Sequence, residues 1–180
     1  MKTALIVFAD GSEELEAITI VNILRRASVT VTLAGLTAGS LRGSRGVLIT
    51  PDTTLDEALT HSYDIVVLPG GQPGTNHLKA DTRVLKLVSG MAQEDKYVAA
   101  ICAAPSVLAT AGLLDGKKAT SFPGALTPFD KVTVQTTAIV DDGKIITSRG
   151  PGTAMDFALH LAELLVGKEK RNEVEAALQR

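Results

Sequence analysis

The sequence predicts an α/β fold built around a mostly parallel sheet. Four short apolar runs rich in branched residues are typical of strands buried on both faces, at residues 4–8, 29–33, 65–68 and 98–101. Helical patterns over residues 13–27 and 82–93 separate them, as parallel crossover connections require. Aromatic residues are only 3% of the 180 residues, so we expect a core of Val, Leu, Ile and Ala.

The remaining elements follow in chain order. Ser12 is predicted to cap the first helix, with Glu13 and Glu14 in its first turn, where acidic groups complement the helix dipole. Segments 40–50 and 132–148 are predicted antiparallel additions, the second with a hairpin turn at Asp142 and Gly143. We expect helices over 105–111 and 154–166, a stop at Gly167, and a charged final helix. No repeat or linker interrupts the chain, which predicts one domain over residues 1–180.

Composition excludes several classes of protein. A net charge of −2 and a pI near 5.9 provide no basic surface for nucleic acid, which we do not expect as a main docking partner. No apolar run approaches the roughly 20 residues needed to cross a bilayer, and acidic residues follow the opening strand too soon for a signal peptide. The lone Cys102 cannot form an internal disulfide, so we expect a cytoplasmic protein. The single Cys and the three His have no spacing that would bind a metal ion, so we expect neither a metal nor another cofactor.

Cys102 is the candidate nucleophile, because it lies among small residues directly after the strand at 98–101. Open parallel sheets bind ligands at the carboxyl ends of their strands, and a sharp nucleophile turn leaves no room for large neighbours. The alternative is that Cys102 is a small core residue. Gly71 ends another strand, and its amide could form an oxyanion hole with the amide of Ala103. An ordinary glycine turn explains Gly71 equally well.

The residue that would exchange protons with this thiol is harder to place. None of the three His adjoins Cys102 in sequence, and only His77 follows a strand at the right edge of the sheet. Acidic residues at the start of the first helix are better placed, so one of Glu13, Glu14 and Glu16 is expected to point at the site. The alternative for each is a solvated charge at a helix start.

Five segments in this order resemble the ThiJ/PfpI superfamily, in its branch around the Parkinson-disease protein (DJ-one) and the YajL-like bacterial proteins. They are residues 11–16 (GSEELE), 44–47 (SRGV), 67–71 (VLPGG), 99–105 (AAICAAP) and 147–153 (TSRGPGT). The resemblance spans residues 3–168. It implies a flavodoxin-like three-layer sandwich with helices on both faces of the sheet, and a homodimer.

The resemblance also implies roles for individual residues. Cys102 matches the family's reactive nucleophile, and Glu16 matches the carboxylic acid that hydrogen-bonds its sulfur. The amides of Gly71 and Ala103 match the oxyanion-binding pair. Two further positions, Glu14 and Arg45, match residues near the mouth of the site or the dimer interface.

Residues that differ from those of related enzymes argue against two activities found among them. Protease-like members carry a His directly after the nucleophile, where this chain has Ala103, so we do not expect a peptidase. Phe122 replaces a His of the Parkinson-disease protein, and the YajL-like branch has the same replacement. Glutamine amidotransferases need a downstream His-x-Glu, and the chain has none.

Two functions then remain. The first is a cysteine-dependent, cofactor-free enzyme of the glyoxalase III or deglycase type, acting on small reactive aldehydes or glycated protein side chains, with a role in stress protection. Because an ionised neighbour would raise the pKa of the thiol, we expect Glu16 to be protonated and to donate to the Cys102 thiolate. The alternative is a redox-responsive chaperone or oxidative-stress sensor that works through oxidation of Cys102.

Overall fold

Strands and helices alternate along most of the chain. The computed structural model describes residues 1–180. The strands are β1 Thr3–Phe8, β2 Thr30–Gly35, β3 Leu41–Arg42, β4 Leu48–Ile49, β5 Thr53–Thr54, β6 Ile65–Leu68, β7 Tyr97–Ile101, β8 Lys118–Thr120, β9 Thr133–Gln135, β10 Ile139–Asp142 and β11 Ile145–Ser148. The α-helices are α1 Glu14–Arg26, α2 Leu55–Ala58, α3 Gly74–Ala80, α4 Thr82–Gln93, α5 Pro105–Thr110, α6 Ala154–Val166 and α7 Lys168–Ala177. None of the helices is both long and apolar enough to cross a membrane.

The central sheet has seven strands in the order β10-β11-β7-β6-β1-β2-β5. Every neighbouring pair is parallel except β10 with β11. The flavodoxin-like α/β fold with a mostly parallel sheet is therefore confirmed. The carboxyl ends of β1, β6 and β7 lie side by side, and this brings the segments that follow them to one edge of the sheet.

Helices cover both faces of this sheet. One core contains Ile6 and Phe8 of β1 together with the apolar sides of α1, α6 and α7. The other contains Leu5 and Val7 of the same strand, packed against α2, α3, α4 and α5. Because successive strand residues point to opposite faces, a strand between two helical layers is apolar at every position. This is why the central strands read as continuous apolar runs in the sequence.

The predicted antiparallel additions are partly confirmed. Strands β3 and β4 form an antiparallel pair of their own, and β10 and β11 form the hairpin predicted at Asp142 and Gly143. The prediction is wrong for β9, which pairs in parallel with β8 in a separate small sheet. The long connection from β8 to β9 brings the chain back to the end of the small sheet at which β8 begins, so both strands run in the same direction.

The predicted cap of the first helix is also wrong. Helix α1 begins at Glu14, and its N-cap is Glu13, whose carboxylate accepts a hydrogen bond of 2.8 Å from the amide of Glu16. Ser12 is fully buried, and its hydroxyl accepts a hydrogen bond of 3.0 Å from the amide of Ala9. Ser12 closes the turn that follows β1, which leaves the capping position to the next residue.

Candidate active site

Cys102 lies on a sharp turn between β7 and α5. Its backbone has a φ of +65°, a left-handed conformation that is uncommon for residues other than glycine. Two backbone hydrogen bonds hold the turn, from the Cys102 amide to the oxygen of Ser148 at 3.0 Å and from the amide of Phe122 to the Cys102 oxygen at 2.7 Å. Strained turns of this kind cluster at functional sites. The geometry aims the side chain at the sheet edge, where it is 8% exposed.

Two glycines allow the β6 end to approach this turn. A Cβ atom added to Gly70 would lie 2.6 Å from the Cβ of Cys102, a distance that real Cβ atoms do not reach. Gly71 has a φ of +83°, a left-handed conformation that favours glycine. The backbone N–H groups of Gly71 and Ala103 face the Cys102 sulfur and act to lower its pKa. The sulfur therefore lies in a small cradle of backbone donors.

The carboxyl group of Glu16 meets the same sulfur from α1. Glu16 is fully buried, and its Oε2 atom accepts a hydrogen bond of 2.8 Å from the amide of Gly70. Its Oε1 atom has no nitrogen or oxygen partner, and the carboxyl interacts with the thiol of Cys102. Burial raises the pKa of Glu16 to about 7, against the opposing effect of the Gly70 amide and the thiol. Below that pH the neutral acid predominates, so Glu16 has a proton to donate.

The surroundings of Cys102 do not favour the thiolate to which Glu16 is expected to donate. Burial, followed by the neighbouring charge of Glu16, raises the pKa of Cys102 to about 12. The amide donors are present, but they do not offset the cost of placing a thiolate in a buried position. Between these two pKa values the pair of Cys102 and Glu16 holds one shared proton, and it titrates as a unit.

A pocket of about 370 Å³ opens over the sulfur. Arg45 and Glu13 are the charged side chains that line it, and the half-exposed ring of Phe122 forms an apolar part of its wall. The lining residues are Glu13, Ser44, Arg45, Gly71, Gln72, Cys102, Ala103, Phe122 and Pro151. This volume is large enough to hold a small-molecule ligand.

The resemblance matches Glu14 and Arg45 to positions near the mouth of the site or the dimer interface, and in the structure the amide of Arg45 donates to the carboxylate of Glu14. Arg45 lines the pocket, whereas Glu14 lies behind it and accepts hydrogen bonds from the β3–β4 turn. Gln72 and Pro151 were missed as lining residues. Both had a signal in the sequence, since Gln72 follows Gly71 directly and Pro151 belongs to the 147–153 segment.

No histidine lines the pocket of Cys102. The Nδ1 atom of His77 lies 2.9 Å from the backbone oxygen of Asp10, in a different pocket. His160 pairs with Asp141 at 2.8 Å, and His61 lies beside Tyr63. Among the carboxylates, Glu16 is the one in contact with the sulfur, and no group of three or more acidic, His or Cys side chains is arranged to hold a metal ion.

Comparisons with known proteins identify relatives of this chain over nearly its full length. A model of the DJ-1/PfpI family matches residues 2–164. Protein dj-1beta of Drosophila melanogaster is 44% identical over 98% of this chain and 96% of that protein. Its crystal structure superposes with a TM-score of 0.95, covering 99% of this chain and 97% of the other.

Two other relatives are informative by name. The glutathione-independent glyoxalase DJR-1.2 of Caenorhabditis elegans is 32% identical over 96% of this chain and 94% of that protein. The structure of oxidized DJ-1 of Toxoplasma gondii is 34% identical, with a TM-score of 0.95 over 99% of this chain and 98% of the other.

Proposed function

The chain belongs to the DJ-1/PfpI family, and from that premise we propose that it is a cysteine-dependent, cofactor-free enzyme that converts methylglyoxal to lactate and glyoxal to glycolate. The observation that carries the proposal is the position of the Cys102 sulfur, between two backbone N–H donors and a carboxyl whose pKa is about 7. The name of the C. elegans relative, a glutathione-independent glyoxalase, supports the same chemistry.

The first step is addition of the Cys102 sulfur to the aldehyde carbon. The carbon–sulfur bond forms, and the electron pair of the carbonyl moves to its oxygen. The one shared proton of the pair ends on Glu16 as the sulfur adds. It then passes to the new oxyanion, which the amides of Gly71 and Ala103 stabilise. The product of this step is a neutral hemithioacetal beside an ionised Glu16.

The second step moves a proton between the two carbons of the substrate. Ionised Glu16 removes the proton from the former aldehyde carbon, the hydroxyl proton of that carbon moves to the second oxygen through the enediol, and Glu16 returns its proton to the adjacent carbon. The first carbon is thereby oxidised to a thioester and the second is reduced to an alcohol, so no external oxidant or reductant is needed. A pKa near 7 suits a group that must both give and take a proton at neutral pH.

Hydrolysis completes the cycle. Water adds to the thioester carbonyl, the carbon–sulfur bond breaks, and the sulfur leaves with the shared proton restored to the pair. The sum is one methylglyoxal and one water giving one lactate and one proton. On a hemithioacetal or aminocarbinol of a glycated side chain, the Cys102 sulfur would displace the side-chain thiol or amine from the same carbon, and this group would leave with the shared proton as the repaired side chain. The remaining steps are then the same, and we include this deglycase activity and a role in stress protection in the proposal.

The test compares lactate formation from methylglyoxal by reduced, metal-free protein in three forms: wild type, Cys102→Ser and Glu16→Gln. We expect turnover by the wild type, none by Cys102→Ser, and a loss of about 10²- to 10⁴-fold in Glu16→Gln, the range typical of a lost acid–base group. Circular dichroism and thermal melting of each variant provide the control for folding. A folded Glu16→Gln variant with undiminished turnover would remove Glu16 from the mechanism.

A second candidate function is a sensor or chaperone controlled by oxidation of Cys102. The amides that face the sulfur, and the Glu16 proton, suit the oxygens of a sulfinate as well as an oxyanion. The oxidized T. gondii relative favours this candidate. Aggregation of a client protein, measured with reduced protein, oxidised protein and Cys102→Ser, separates the two, because a sensor protects only in the oxidised form with Cys102 present.

We also propose that the chain forms a homodimer. Four large apolar side chains are exposed on α1 and on the β3–β4 hairpin: Leu15, Ile18, Val47 and Leu48. Apolar surface of this kind is typical of a protein–protein contact. Sedimentation equilibrium of the wild type and of an Ile18→Glu variant tests the proposal, and a wild type that remains monomeric at micromolar concentration would contradict it.

A further inference from the structure

A second cavity, of about 180 Å³, lies at the amino end of the sheet, opposite to the end that holds Cys102. Its wall is formed by the residues that precede β6 and β7 and by the second half of α4. Its polar side chains include Ser62, Tyr63, Lys86, Glu94 and Lys96. The cavity shares no residue with the Cys102 pocket, so a ligand bound here would not touch the thiol.

Tyr63 places a hydroxyl without a partner in this cavity. Tyr63 is 7% exposed, because its ring belongs to the core that packs against α2, α3, α4 and α5. The hydroxyl makes no hydrogen bond within the chain, and it is not sealed from solvent as the partnerless hydroxyls of Thr75 and Thr120 are. A tyrosine hydroxyl at the edge of a core ordinarily has a hydrogen-bond partner. The cavity that Tyr63 lines is where a bound molecule can supply one.

The charged side chains of the wall are two lysines and one carboxylate. Lys86 of α4 is exposed and makes no ion pair within the chain. Lys96 pairs with Glu94 at 2.6 Å, and the side chain of Glu94 is the more exposed of the two. Asp64 pairs with Lys2 and does not line the cavity. The wall therefore has a net positive charge, which favours an anion as the ligand.

The donors and the size of the cavity indicate which anion fits. A phosphate group accepts hydrogen bonds in several directions, so the hydroxyls of Ser62 and Tyr63 and a lysine ammonium can bind it together. Leu87 and Met91 give the wall an apolar part, which an organic substituent of the phosphate would contact. The volume of about 180 Å³ is below the roughly 300–1,000 Å³ of pockets for drug-sized ligands, which favours a small molecule over a nucleotide.

We propose that this cavity binds a small phosphate monoester, with the Tyr63 hydroxyl donating to a phosphate oxygen and Lys86 and Lys96 balancing its charge. The site is a second ligand site, at the far end of the sheet from Cys102. The inference goes beyond the proposed function, and its test needs no turnover of methylglyoxal. Failure of one proposal therefore leaves the other standing.

An NMR titration of ¹⁵N-labelled protein locates the binding. The amide of Gly90 reports the cavity that it lines, and the amide of Gly71 reports the Cys102 pocket. The titrants are inorganic phosphate, phenyl phosphate and benzoate, at neutral pH with sodium chloride holding the ionic strength constant. We expect saturable shifts at Gly90, with phenyl phosphate binding most tightly because it combines the phosphate group with an apolar substituent. Shifts at Gly71 alone, shifts that do not saturate, or benzoate binding as tightly as phenyl phosphate would overturn the proposal.

Tyr63→Phe isolates the hydroxyl. Because this hydroxyl has no partner within the chain, its removal should leave the melting temperature at the wild-type value. The Kd for phenyl phosphate should rise about five- to ten-fold, the size of one lost hydrogen bond. A hydroxyl with a purely structural role would give the opposite pattern, a lower melting temperature with an unchanged Kd, and that result would remove Tyr63 from the site.

Three charge variants distinguish this site from attraction to any surface lysine. Lys86→Gln should raise the Kd for phenyl phosphate about two- to five-fold, the size of one charge interaction over several ångströms in water. Lys168→Gln is the matched control, because Lys168 is also exposed and without an ion pair but lies on α7, and its Kd should equal that of the wild type. Glu94→Gln should lower the Kd, since it removes a repulsive charge and frees Lys96. Equal effects of the two lysine variants, or weaker binding in Glu94→Gln, would contradict the proposal.

Discussion

The amide of Gly70 donates a hydrogen bond of 2.8 Å to Oε2 of Glu16, across 54 residues of sequence. This bond orients the carboxyl so that Oε1, which has no other polar partner, is the oxygen left for the Cys102 thiol. A single backbone group of β6 thus sets the geometry between an acid on α1 and a nucleophile after β7. The chemistry of the site depends on three segments meeting at one edge of the sheet.

Stability should depend on pH through Glu16. Its folded pKa, about 7, is above the ordinary value of 4.5 that it regains on unfolding. The stabilisation from the neutral acid is fully present below pH 4.5, declines as the pH rises, and is lost above pH 7. A difference of about 2.5 pKa units corresponds to about 3 kcal/mol.

Urea denaturation at pH 4.5 and pH 8 measures this change. We expect the free energy of unfolding of the wild type to fall by about 3 kcal/mol more than that of Glu16→Gln, which has no group to titrate. If wild type and variant lose the same stability between these two pH values, Glu16 does not have the raised pKa.

Two glycine substitutions should have opposite effects. In Gly70→Ala the new methyl group meets the Cβ of Cys102 and the amide of Ala103, so the turn must shift. We expect a loss of about 1–3 kcal/mol in stability together with slower alkylation of Cys102. Gly90 lies in α4 with no atom near its added Cβ, and Gly90→Ala should instead add up to about 1 kcal/mol.

Thermal melting and the iodoacetamide rate constant of both variants check this pair. Equal stability changes of the same sign would show that close approach at Gly70 is not what constrains the site.

The ring of Phe122 should determine which aldehyde is preferred. It is 51% exposed and forms an apolar part of the pocket wall, where the methyl group of methylglyoxal would contact it. Glyoxal has no such group. Since burial of one carbon contributes about 0.8 kcal/mol, Phe122→Ser should reduce the ratio of kcat/KM for methylglyoxal over glyoxal by about four-fold.

Val134→Ser is the control for this prediction. Val134 is 52% exposed on β9 and does not line the Cys102 pocket, so its substitution should leave the ratio unchanged. An unchanged ratio in Phe122→Ser would remove the ring from substrate selection.

Most of the fold could be predicted because local patterns determine it. The predicted helices at 82–93 and 154–166 have the observed bounds of α4 and α6, since each has a clear apolar side and a clear end. The sequence predicts the N-cap of the first helix one residue too early, because the hydroxyl of Ser12 accepts a hydrogen bond within the turn after β1 instead. Helix α3 was not predicted, since its short sequence has no strong apolar period.

The site could be predicted in part for the same reason. Cys102, Gly71 and Glu16 each stand near a strand or helix end, where the sequence marks an element boundary. The place of Phe122 in the pocket wall could not be predicted from a local pattern, because Phe122 reaches it through a loop that closes on the Cys102 oxygen across 20 residues. The position of Glu14 depends likewise on a hairpin packed against α1, and no local pattern reports such a contact.

The central claim is that Cys102 and Glu16 work as one pair that is active when it holds a single proton. The most direct measurement is the rate constant for alkylation of Cys102 by iodoacetamide from pH 5 to pH 10, in wild type and in Glu16→Gln. We predict that the wild-type rate rises with an apparent pKa of about 7, as the first proton leaves the pair. In Glu16→Gln the rise should move to alkaline pH, because burial still opposes the thiolate and no carboxylate accepts its proton. Identical profiles in the two proteins would contradict the claim.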